Sequence, residues 1–167
     1  MAALSPRRRV VVTGLGIVSP VGVGTTQFWD RLSHGISGVK EVRDFDTSQF
    51  SCHHGGEVQD FEASDFFPAK KVRQWDRCMQ FAMVAAQEAL LHAGMRDGPP
   101  EPDRAGVILG TAAGGRREAI AFQRDVLFAE NDAHREAVRK FPRRLMLNSS
   151  YHASTNRVAG AFGFPGP

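Results

Sequence analysis

The chain has 167 residues, 42% of them hydrophobic and 23% charged, with a net charge of +3. That is enough apolar material for one ordinary domain with a core, and it excludes wholesale disorder. The charge is too mild to argue for nucleic acid, no stretch reaches the roughly 18 consecutive apolar residues of a membrane span, and the amino terminus carries positive charge without a separate apolar stretch, so no signal peptide is expected.

Arg9-Val10-Val11-Val12-Thr13-Gly14 is a β-branched run closed by glycine. It reads as a strand buried on both faces, as in parallel or mixed α/β sheets. Leu15 to Pro20 continues as a compact loop, after which Thr25 or Thr26 is placed to cap a short helix carrying Phe28, Trp29 and Leu32. Gly35-Ile36-Ser37-Gly38 ends that helix. Residues 39–69 set aromatic pegs (Phe45, Phe50, Phe61, Phe66, Phe67) among polar residues and read as an irregular surface excursion.

Asp76 begins the clearest helix. Met79, Met83, Ala86, Leu90 and Ala93 recur at steps of three and four, which makes one apolar stripe, and Gly94 is a natural stop. The methionine stripe reads as core rather than as a cofactor box. Asp97-Gly98-Pro99-Pro100-Glu101-Pro102 is a rigid linker to a second expected strand, residues 105–110. The small-residue turn Gly110-Thr111-Ala112-Ala113-Gly114-Gly115 follows, then a charged helix over 116–140 and a last helix within 148–162. The order is that of an α/β chain. Only two strong strands are visible, and a two-stranded pair is not a stable sheet alone, so further sequence is expected to complete it.

The motifs exclude several chemistries. Gly14-Leu15-Gly16-Ile17-Val18-Ser19 has serine in place of the third glycine of a dinucleotide fingerprint, and Pro20 blocks the helix start that would bind the pyrophosphate. The 110–115 turn lacks the lysine of a phosphate loop. Cys52 and Cys78 are too few for a disulfide framework and form no CxxC pair. Cys78 reads as a small buried hydrophobe; Cys52, beside His53 and His54, leaves a metal or thiol site as the alternative to a plain loop. Neither metal nor other cofactor is expected, and a reducing cytoplasm is the expected setting. Two basic clusters, Lys70-Lys71-Val72-Arg73 and Arg135, Arg139, Lys140, Arg143 and Arg144, are either solvated faces or a docking surface for an acidic partner.

Arg8-Arg9-Val10-Val11-Val12-Thr13-Gly14-Leu15-Gly16-Ile17-Val18-Ser19-Pro20-Val21-Gly22 closely resembles the opening of type II β-ketoacyl-acyl-carrier-protein synthases. Further resemblances follow in order: Phe45-Asp46-Thr47-Ser48, the long helix from Asp76 to Gly94, the strand and turn from Gly106 to Gly115, and the segments Asn156-Arg157-Val158-Ala159-Gly160 and Gly163-Phe164-Pro165-Gly166-Pro167. The resemblance covers essentially the whole chain.

It implies the amino-terminal half of a thiolase-like condensing enzyme: one α/β domain over residues 1–167, with a mixed or parallel sheet and flanking helices. It implies decarboxylative condensation of an acyl thioester with a malonyl-carrier protein. In the family the nucleophilic cysteine follows the Gly166-Pro167 segment and the catalytic histidines come later, so no catalytic residue is carried over and the chain alone is expected to be inactive. Lys70, Arg73, Arg143 and Arg144 match positions that face the acyl carrier protein, and Ala113 and the stretch holding Ser149, Ser150, His152 and Ser154 match segments lining the acyl pocket. Partners implied are the acyl carrier protein and a second subunit, as a homodimer or as a heterodimer with a related ketosynthase. Leu147-Asn148-Ser149-Ser150-Tyr151-His152 departs from the bulkier family pattern, which points to a specialised pathway such as polyketide or polyene synthesis. The alternatives are a non-catalytic partner subunit of the chain-length-factor kind, or an inactive fragment.

Overall fold

The computed structural model describes residues 9–112, 114, 115, 120, 123, 124, 136 and 151–164. Among these, helix α1 spans Thr25–Ser33, a short hairpin pairs β1 (Lys40–Glu41) with β2 (His54–Gly55), and a one-turn α2 (Ala69–Val72) leads into α3 (Arg77–His92). Helix α4 spans Tyr151–Phe162. Most of the expected charged helix at 116–140 lies outside the described residues.

Helix α3 forms where the periodicity predicts. Asp76 has an extended backbone and its side chain accepts the Met79 N–H, so it caps the first turn. At the other end Gly94 adopts φ 72°, its N–H bonds to Leu91 O, and Met95 N–H reaches back to Leu90 O. That pair of bonds is a Schellman stop, and it needs the left-handed backbone glycine adopts without strain. The apolar stripe is core: Met79 is 0% and Met83 1% exposed. They pack with Trp75 and with Val158 of α4, surrounded by Phe67, Val72, Val107 and Phe162. On the next face Val84 joins Phe61 and Ala63, covered by Val18, Val23 and Phe81.

The expected strands differ from expectation. Residues 9–14 and 105–110 form no ladder among the described residues, and Val10 (92%) and Ile108 (102%) are exposed rather than buried on both faces. A β-branched run becomes a strand only when a neighbour takes its N–H and C=O groups. Here the acceptors available to the loop are side chains of α3. Ile17 N–H bonds to Glu88 Oε2 at 2.8 Å and Leu15 N–H to His92 Nδ1 at 3.3 Å. The backbone can lie so close because it has no side chain there: a Cβ on Gly14 or Gly16 would fall on the carbonyl oxygen of Ala89 or Ala85. Glycine at these positions thus serves packing, not a nucleotide. The ladder that does form, β1 with β2 in antiparallel register (Lys40 opposite Gly55), lies in the stretch expected to be irregular.

The cap of α1 also differs. Neither Thr25 nor Thr26 caps it; Gly24, at φ 86°, takes the N-cap position without a side chain. The missing acceptor comes from α3, where Glu88 Oε1 takes Thr25 N–H at 2.6 Å and Thr25 Oγ1–H at 2.9 Å. A local cap has been replaced by a tertiary one.

Met83→Ala removes a fully buried side chain at the α3–α4 contact and should cost about 2–5 kcal/mol, measured as a lowered midpoint in urea; a loss below about 0.5 kcal/mol, the size of a surface change, would show that the contact is not core.

Candidate functional site

The described buried polar side chains gather at the start of α3. Asp76 is 5% and Ser154 3% exposed. Between them sits Cys78, half-buried, whose Sγ–H donates to Asp76 Oδ1 at 2.9 Å. Ser154 and the Gly115 backbone N–H lie near enough to the Cys78 sulfur to favour its thiolate form, and a Cβ on Gly114 would stand 3.6 Å from that sulfur. The cluster therefore joins the first turn of α3, the middle of α4 and the end of the 110–115 glycine turn. Gly114 and Gly115 are both buried, and a Cβ on Gly114 would stand 3.0 Å from Thr111 Oγ1. Small residues in this turn let backbone, rather than side chains, form the wall.

The electrostatics favour a neutral thiol. Burial pushes the Cys78 thiol up, the Asp76 carboxylate pushes it further, and the donors Gly115 N–H and Ser154 oppose this without winning. A nucleophilic cysteine needs the reverse, a cationic or helix-terminal setting that stabilises thiolate. Cys78 fits the sequence reading of a packing residue, with the addition of a polar contact on its sulfur. Cys52 is exposed and its sulfur meets only the His54 carbonyl, at 3.4 Å, among the contacts described; His53 pairs with Thr47 Oγ1. Among the described residues no three ligating side chains converge on a metal position.

Of the residues singled out by sequence, Ser154 enters this cluster. His152 is exposed on the first turn of α4, two positions earlier and so on another face of the helix. Ala113, Ser149, Ser150, Arg143 and Arg144 lie outside the described residues, although Ala113 is flanked by Ala112 and by the buried Gly114. Lys70 and Arg73 are exposed on α2 and at its end. That helix is held by Pro68, whose carbonyl accepts from Lys71 and Val72, and by the edge-on packing of Phe67 against Trp75 at 5.1 Å. Lys70, Lys71 and Arg73 so form a basic surface a few residues ahead of the buried cluster.

Two groups escaped the sequence reading. Arg77, which follows the basic run, turns inward: its guanidinium lies 4.9 Å from the Phe61 ring and 5.1 Å from the Phe81 ring and donates to the Phe61 and Val58 carbonyls, each at 3.0 Å. It borders an open groove of about 630 Å³ together with Glu57, Asp60 and Glu62. The aromatic peg Phe61, with Phe81 of α3, was its signal. Glu88 was the other, a carboxylate inside an alanine-rich helix.

Known proteins match this chain along its length. Residues 7–167 match the family described as β-ketoacyl synthase, N-terminal domain. A β-ketoacyl synthase 1 assigned to oxytetracycline polyketide formation in Streptomyces rimosus is 39% identical over 139 residues, covering 80% of this chain and 32% of that protein. The 3-oxoacyl-acyl-carrier-protein synthase 2 of Staphylococcus aureus is 33% identical over 142 residues, covering 85% of this chain and 32% of that protein. The solved ishigamide ketosynthase/chain length factor superimposes with a TM-score of 0.76 at 28% identity, over 95% of this chain and 38% of that one. The chain thus spans about a third of the length of the relatives it matches. None of its described helices is long and apolar enough to cross a membrane.

Iodoacetamide at pH 8 should modify Cys52 at least about tenfold faster than Cys78, read by peptide mass spectrometry, and Asp76→Asn should narrow the gap. Faster modification of Cys78 than of Cys52 in the unmutated protein would show that its thiol is not held protonated.

Proposed function

This chain belongs to the β-ketoacyl synthase family through that N-terminal domain, and from this premise we propose that it is the amino-terminal part of a β-ketoacyl-acyl-carrier-protein synthase of fatty-acid or polyketide type. The observation that carries the reading is the match over residues 7–167, which includes every element described. Residues 9–14 and 105–110 are then strands of a mixed or parallel thiolase-like sheet, exposed here because their partners belong to the remainder of the synthase.

In the proposed reaction of the whole protein, a cysteine thiolate attacks the carbonyl carbon of an acyl-carrier thioester. It forms an enzyme thioester and releases the carrier thiol. A malonyl thioester then loses carbon dioxide, and the electron pair of the broken bond becomes an enolate held by hydrogen-bond donors. The enolate carbon attacks the enzyme thioester, the new carbon–carbon bond forms, and the cysteine leaves as thiolate. The product is a β-ketoacyl chain two carbons longer.

The chain's own residues bind and orient. Ser154, with Ala113, Ser149, Ser150 and His152, belongs to the acyl pocket wall. Support comes from the buried Ser154–Cys78–Asp76 cluster, which lies beside a turn of small residues. Lys70 and Arg73, with Arg143 and Arg144, dock the acidic carrier protein; the exposed basic face of α2 supports this. The assembly is a dimer, homodimeric or paired with a related ketosynthase, in the cytoplasm. Neither described thiol is set up as a nucleophile, so the bond-making groups are supplied by the rest of the synthase.

A second reading, a chain-length-factor-like partner subunit, is favoured by the overlay on a ketosynthase/chain length factor. The two differ in whether the full-length protein carries the reactive cysteine. A full-length protein that condenses on its own excludes the partner role.

The carrier-docking assignment predicts that Lys70→Glu with Arg73→Glu weakens acyl-carrier-protein binding about tenfold at low salt, at roughly 0.7 kcal/mol for each exposed charge, with the difference shrinking as salt screens both forms. Calorimetric titration at two ionic strengths reads it. Equal affinity of variant and parent at low salt would remove α2 from the docking surface.

A further inference from the structure

We infer that Glu88 is a proton-controlled latch holding α1, and the loop ahead of it, against α3. Its carboxylate is the main polar joint between two bodies, with three bonds against the single one at His92. Oε2 accepts from Ile17 N–H at 2.8 Å, and Oε1 from Thr25 N–H at 2.6 Å and Thr25 Oγ1–H at 2.9 Å. Apart from Leu15 N–H to His92 Nδ1 of α3 at 3.3 Å, the other bonds described for this stretch are internal to it: Gly24 N–H to Ile17 O, the Val18–Val23 bridge, the reciprocal Ser19–Gly22 pair, and Arg31 Nη1–H to Val21 O. They would travel with the loop and α1 as a unit.

The unit is lightly packed. None of the residues of α1 is fully buried, and Trp29 (67%) and Leu32 (47%) stand in solvent. Glycines with positive φ flank the helix, Gly24 at 86° and Gly35 at 68°, and both sit where backbone rotation costs least. The apolar tie is Val18 and Val23 against the Phe61–Val84 cluster. Val23 and Gly24 also line a cleft of about 380 Å³ together with Val84, Glu88 and Leu91 of α3 and with Phe66, so release of the latch widens that cleft.

Protonation undoes the joint, because a carboxyl group offers fewer and weaker acceptor positions than a carboxylate and places a donor among donors. The charged and titratable groups facing it are few. His92 lies one turn on along α3, its Nδ1 accepting from Leu15 N–H at 3.3 Å; Asp65 stands across the cleft; the first turn of α1 brings no acidic group. Partial burial pushes the Glu88 carboxyl up, but the bonds from Thr25 and Ile17, aided by His92, hold it below the usual glutamate range. The latch is therefore fully shut above the ordinary glutamate value and opens as pH falls through the depressed one.

Amide resonances followed from pH 7 to pH 3 test this in the intact chain. Ile17 and Thr25 should titrate together, with one midpoint below the ordinary glutamate value. Protection from exchange across residues 25–33, corrected for intrinsic rates, should fall about tenfold or more while residues 79–92 of α3 keep theirs. Glu88→Gln should show the loosened α1 already at pH 7, with no acid step. The proposal is overturned if α1 and α3 lose protection together, or if Glu88→Gln keeps both a protected α1 and the step. Should the variant not fold, the titration of the parent chain decides alone.

Discussion

Burial of one face of α3 is the constraint on which the described architecture depends. Met79 and Met83 are the two large side chains removed from water almost completely, each worth about 1.5–3 kcal/mol. Several of the other described parts are placed by their contact with this helix. Helix α4 presses Val158 onto the methionines, the Phe61–Ala63 turn closes on Val84, and the amino-terminal loop lies on the alanine carbonyls at Gly14 and Gly16. The alanines of α3 matter as much as the methionines, because only small side chains allow a neighbouring backbone to approach that closely.

The same helix arranges the polar groups. Its cap and first turn carry Asp76 and Cys78 into the buried cluster with Ser154, while its fourth turn carries Glu88 to the loop and α1. Both carboxylates act as hydrogen-bond acceptors for backbone donors that would otherwise go unmet. The cost of burying a thiol next to a carboxylate is a sulfur that stays protonated. That suits a residue that shapes a pocket and would defeat one that attacks a thioester. The basic side chains of α2 remain outside, exposed to solvent.

Much of this was legible in the sequence. The spacing of Met79, Met83, Ala86 and Leu90 located α3, and Asp76 and Gly94 located its ends, because caps and helical periodicity are local properties. The opening motif around Gly14 and Gly16 pointed to the family, and the match over residues 7–167 bears that out. What local reading missed is what depends on distant partners. Thr25 looks like a cap by its type, yet the acceptor comes from a glutamate 63 positions away. The runs at 9–14 and 105–110 have strand composition, but a ladder needs a neighbour that composition cannot supply. Arg77 lies beyond the basic run Lys70–Arg73 and was not singled out, because what brings its guanidinium inward is two phenylalanines, one of them distant in sequence.

The claim at the centre of this account is that Cys78, in the cluster at the head of α3, is a packing residue and does not itself carry an acyl group. Mass spectrometry of the chain after incubation with an acyl-acyl-carrier protein tests that directly. The account predicts unmodified Cys78 and Cys52. An acyl thioester on Cys78 would contradict it, because burial and Asp76 disfavour the thiolate that the attack requires.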